Sequence, residues 1–126
     1  MISKTVLPNI GSHRAINTDH AVGQPGEDVG LGHTPEAPDR IWVLDAIQYS
    51  YRAEAGADVL AAPIKGRLVV RVGDKIKWDA DIPDFTGVLN LYIPGQADKD
   101  ISVMLYSGGG GYIGKLNCQW HLEPSQ

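Results

Sequence analysis

The stretch at residues 65–82, KGRLVVRVGDKIKWDADI, decides the fold class. Leu68, Val70 and Val72 alternate with Arg67, Val69 and Arg71. After Gly73-Asp74, the residues Ile76, Trp78, Ala80 and Ile82 alternate with Lys75, Lys77, Asp79 and Asp81. A period of two belongs to a strand, whose successive side chains point to opposite faces. Gly73-Asp74 is a two-residue hairpin signal, because Gly takes a positive φ without a Cβ penalty and Asp tolerates one. The stretch therefore reads as an antiparallel hairpin with one apolar face toward a core and one charged face toward water. The charges on the outer face also guard it against edge-to-edge aggregation.

The same grammar runs outward in both directions. In IWVLDAIQYSYR at residues 41–52, Ile47, Tyr49 and Tyr51 share one face, and Gln48, Ser50 and Arg52 the other. Residues 53–63 form a connection, where Gly56 weakens a helical turn and Pro63 ends it. Leu89, Leu91 and Ile93 alternate with Val88, Asn90 and Tyr92; Ile101, Val103 and Leu105 alternate with Ser102, Met104 and Tyr106. Ser107 and the run Gly108 to Gly111 read as a flexible hairpin loop. In the last segment Leu116, Cys118, Trp120 and Leu122 oppose Lys115, Asn117, Gln119 and His121, and Pro124 stops it. These segments make about six strands, or seven to eight with segments of the arm, separated by turns at sandwich-like spacing. The expected fold is all-β: an antiparallel, jelly-roll-like β-sandwich over residues 41–126.

Residues 8–40 lack any sustained period, and prolines and glycines recur through them. The expectation for residues 1–40 is an extended, non-regular N-terminal arm, with a short strand at residues 2–7. A long irregular segment beside a compact domain is commonly a functional arm. Its apolar anchors suit a neighbour's surface, so Ile2, Val6, Leu7, Ile10, Arg14 and Ile16 are candidate partner contacts.

Composition narrows the function classes. A chain of 126 residues holds one domain, and a formal charge of −4 offers no general attraction to nucleic acid. The single cysteine, Cys118, forms no internal disulfide. No secretory segment follows Met1 and no apolar run reaches membrane-spanning length, which points to synthesis in a reducing cytoplasm and no membrane partner.

No catalytic, cofactor or metal site is expected, and the chain does not read as an enzyme. G-x-S-x-G is missing. Cys118 sits mid-strand on an apolar face, and His121, three residues on, falls on the opposite face. His13, His20 and His33 lie in the arm at no zinc-like spacing, and Asp79, Asp81 and Asp84 lack a ligand loop. The glycine run lacks the Lys-Ser/Thr of a phosphate loop. Tyr106 and Tyr112 flank it and are candidate rim aromatics, able to stack on a sugar or line a protein interface.

The segments IWVLDAIQYSY, GRLVVRVGDKIKWDADI and the glycine-rich link into IGKLNCQWHL resemble small structural proteins of tailed bacteriophages, namely head decoration or cement proteins and related head-fibre and tail components. The resemblance spans residues 41–122. It implies a jelly-roll-like sandwich on the outer surface of a virion capsid, self-associated as a homo-oligomer and bound at seams between major capsid protein subunits. A receptor- or carbohydrate-binding module of a phage tail or head fibre, with a glycan as ligand, is the other expectation.

Overall fold

The computed structural model describes residues 16–54, 64–82 and 84–125. They form eight strands: β1 (Ile16–Val22), β2 (Val29–His33), β3 (Arg40–Ala53), β4 (Gly66–Val72), β5 (Lys75–Ile82), β6 (Thr86–Pro94), β7 (Ile101–Tyr106) and β8 (Tyr112–Pro124). The first sheet has the order β1-β8-β3-β6 and the second β2-β7-β4-β5. All pairings are antiparallel, and they nest: β4 with β5, β3 with β6, β2 with β7, β1 with β8. That is one long hairpin rolled around itself, with its tip at Gly73-Asp74, which is the jelly-roll topology. Gly73 has φ 59°, as a two-residue hairpin turn requires.

The expectation of irregular chain over residues 8–40 is corrected for β1 and β2. They are the outermost pair of the roll, and without them β8 and β7 lose their outer neighbours. Their sequences, INTDHAV and VGLGH, hide this because each sits at a sheet edge with little apolar alternation. The connection at residues 55–63 and the strand expected at residues 2–7 lie outside the described residues.

The core fills the gap between the sheets. Leu44, Ile47, Leu116, Cys118 and Trp120 of the first sheet meet Leu68, Val70, Ile101, Val103 and Leu105 of the second, all almost fully buried. Tyr51 spans the gap: its hydroxyl donates to the Tyr106 carbonyl at 2.6 Å. Gly66 and Gly87 admit this aromatic layer, because a Cβ on either would run into the hydroxyl of Tyr51 or Tyr49. Burial pushes the Tyr51 phenol up to about 12.

Two expectations change in detail. Ile76 is exposed, since a register shift between Val70 and Arg71 places it opposite Arg71 on the outer face. The glycine run is no hairpin loop. It carries the chain from β7 in one sheet to β8 in the other, and it is tied down: Lys65 N–H donates to Gly108 O at 3.0 Å and Glu54 N–H to Gly111 O at 2.8 Å.

Candidate binding face

The outer face of the first sheet is a register of small polar groups. Thr18 stands beside Gln119, Ala46 and Asn90; the next row is His20, Asn117, Gln48 and Val88; the next is Val22, Lys115, Ser50 and Thr86. Amides and hydroxyls dominate, and Lys115 is the lone full charge in these three rows. A depression of about 390 Å³, lined by Thr18, Gln48, Asn90, Asn117 and Gln119 among others, runs into a second beside Ser50 and Thr86. Val88 and Tyr92 stand out from this face at 62% and 58% exposure.

One end of the face is closed by charge. Asp45 is the extra residue where the β3 register shifts between Leu44 and Ala46. Its Oδ2 lies 2.6 Å from His121 Nδ1, and Glu123 Oε2 lies 2.6 Å from Nε2. The Tyr92 hydroxyl donates to Glu123 Oε1 at 2.6 Å. His121 is fully buried, although it alternates with the core residue Trp120. The expected outer placement of His121 holds; its burial is the part composition did not show. Its partner Glu123, two residues on and so on the same side of a strand, was the available signal.

The outer face of the second sheet is different. Arg67 Nε and Nη2 donate to Asp79 at 2.8 and 2.6 Å, and the guanidinium lies 5.7 Å from the centre of the Tyr106 ring. This pairing holds the Asp79 carboxyl below its usual range, chiefly through the hydrogen bond.

The rim-aromatic expectation is corrected here. Tyr112 is buried at 3% exposure in the core, edge-on to Phe85, and Tyr106 lies half-buried under Arg67 on the second sheet. They form no shared platform, because β7 and β8 lie in different sheets. Of the arm candidates, Ile2, Val6, Leu7, Ile10 and Arg14 lie outside the described residues, and Ile16 opens β1 opposite His121. His33 is no loose arm residue: it stacks on Trp42 at 4.0 Å and lies 2.6 Å from Asp19 across the β1–β2 side of the roll. Cys118 is fully buried and burial pushes its thiol up to about 12, which keeps it protonated and inert.

No protein-family model matches the sequence, and no curated protein matches it. Among solved structures, the Yersinia pseudotuberculosis-derived mitogen is 11% identical over 84% of this chain and 85% of its own, with a TM-score of 0.44. The CBM36-1 domain of a multidomain xylanase from the hindgut metagenome of Trinervitermes trinervoides is 7% identical over 79% and 74%, with a TM-score of 0.39. The capsid protein of BFDV, solved as a decamer, is 10% identical over 90% and 97%, with a TM-score of 0.38. At these values the likeness carries no argument about what this chain binds.

Proposed function

We propose that the chain is a non-catalytic structural protein of a phage virion, a decoration protein that seats on the outer surface of a capsid between major capsid subunits. The observation that supports this reading most is the amide-rich outer face of the first sheet. Such a face needs no counter-charge from its partner. It offers many modest hydrogen bonds, each worth about 1 kcal/mol net, and these add across copies on a lattice. The phage capsid enters this reading through the pattern of residues 41–122, which resembles that of phage head proteins. The N-terminal residues would then reach a neighbour, as their scattered apolar anchors suit.

The depression lined by Gln48, Asn117 and Gln119 favours a second reading, a glycan ligand, because planar amides match vicinal hydroxyls. One experiment separates the two. Purified chain is sedimented with empty heads assembled from a tailed-phage major capsid protein, and separately passed over immobilised oligosaccharides. Gln48→Lys with Gln119→Lys should abolish head binding while the far-UV spectrum stays unchanged. Retained head binding rejects this face; loss of oligosaccharide retention alone selects the glycan reading. A truncation that tests the arm must stop before Ile16, since a cut at residue 38 removes β1 and β2.

A further inference from the structure

The jelly roll leaves four edge strands, and they are not protected alike. β5 carries Lys75, Lys77, Asp79 and Asp81 and a register shift, and β2 is only five residues long. β1 carries Asp19. β6, TGVLNLYIP, has nine residues and not one charge, and among the described residues no strand lies beyond it. A long, uncharged edge presents unpaired N–H and C=O groups and is a template for another strand.

The side chains along β6 say which strand fits. On its outer side stand Val88, Asn90 and Tyr92, and the two large residues lie symmetrically about Asn90. We infer that a second copy of this chain adds its β6 to this edge, antiparallel and two-fold symmetric about Asn90, to make one continuous eight-stranded sheet across a homodimer. In that register Val88 faces the copy's Tyr92 twice, a β-branched–aromatic pair of the kind that stabilises sheets, and Asn90 faces its own copy. On the inner side Leu89 meets the copy's Leu91, which covers flanks that the monomer leaves half-buried. The neighbouring β5 does not oppose this. Its lysines lie at one end and its aspartates at the other, so an antiparallel copy brings unlike charges toward each other.

The test is the mass of the full chain by light scattering, with a cysteine scan of β6. The expected result is a dimer, in which Asn90→Cys oxidises to a covalent dimer, since paired Cα atoms lie about 5 Å apart. Val88→Cys should not cross-link, because it sits four residues from its own copy, about 13 Å along the strand. Val88→Lys with Tyr92→Lys should weaken the dimer at least tenfold, and Val88→Glu with Tyr92→Lys should restore it, as each pair then joins unlike charges. A folded monomer at every soluble concentration overturns the proposal. So does a dimer that cross-links at Val88→Cys and not at Asn90→Cys, which would place the contact in another register or on another surface.

Discussion

The two outer faces of the roll solve one problem with different chemistry. Both contain outward-alternating residues that are nevertheless fully buried: His121 and its cross-strand neighbour Val43 on the first sheet, and Val69 on the second. His121 is held by carboxylates, Asp45 on one ring nitrogen and Glu123 on the other. Val69 lies between Arg67 and Arg71 along β4 and opposite Asp79 and Met104 on the flanking strands, and both arginines reach Tyr106. A polar cluster closes one end of the face that carries little charge, and Val69 is buried on the face that is rich in charge. This contrast decides where each sheet can accommodate an interface: the first keeps its carboxylates at one end and leaves three rows in which Lys115 is the lone full charge.

Breaking the first arrangement should cost most. His121→Ala removes the ring that bridges Asp45 and Glu123, and leaves a cavity between their carboxylates. Leaving two part-buried carboxylates without the ring that bridges them, together with the cavity, sets the expected loss at about 3 kcal/mol. Urea denaturation measures it. A loss under about 1 kcal/mol would mean that the carboxylates relax into water and that the cluster does not hold this end of the face.

The interior between the faces gives a pH test. Tyr51 ties the sheets through its hydroxyl, and its phenol is raised to about 12 by burial. The raised value means that the folded chain keeps this proton after the unfolded chain has lost it. The stability from a neutral Tyr51 is therefore complete below pH 10 and drains away as pH rises toward 12, on the order of 2 kcal/mol in all. Tyr51→Phe should flatten that alkaline decline, measured as the denaturation midpoint between pH 9 and 12, while lowering stability at neutral pH through the lost bond to Tyr106. An unchanged alkaline slope would assign the decline to other groups.

Much of this contrast is written in the sequence, and the rest is hidden there for physical reasons. The hairpin at β4–β5 declares itself through strict alternation around Gly73-Asp74, and so do the inward sets of β7 and β8. In β3 the buried residues change parity, from Trp42 and Leu44 to Ile47, Tyr49 and Tyr51. That switch marks the extra residue at Asp45, and the order of apolar residues in IWVLDAIQYSY carries it. β1 and β2 are not legible in this way. Their pairing partners, β8 and β7, lie about seventy residues or more away in the chain, and edge strands with one wet side carry a weak pattern. The amide face is invisible for the same reason: Thr18, Gln119, Gln48 and Asn90 become neighbours only through long-range register. Tyr106 and Tyr112 mislead because closeness in sequence across a glycine run suggests a hairpin, while the run crosses between sheets.

The roof over Val69 should be the weaker closure. Val69→Ala deletes two buried methyl groups, which at about 0.8 kcal/mol for each buried carbon predicts a loss near 1.5 kcal/mol. Thermal or urea unfolding checks it. A loss as large as that of His121→Ala would put the two closures on an equal footing and erase the contrast.

The smallest effect is expected from the charges themselves. Arg67 and Asp79 form a two-point hydrogen-bonded pair, but both side chains are well exposed, at 45% and 36%. Water and salt screen such a pair, so its coupling should be the smallest of these effects and should shrink further as salt is added. A double-mutant cycle with Arg67→Met and Asp79→Asn isolates that coupling from the loss of the arginine stem. The stem is the sharper question. If Arg67 protects Val69 by packing, Arg67→Met keeps most of the roof and costs little, whereas Arg67→Ser removes it and approaches the cost of Val69→Ala. If the two substitutions cost the same, the ion pair and not the stem closes this face, and the second sheet then resembles the first more than its exposed charges suggest.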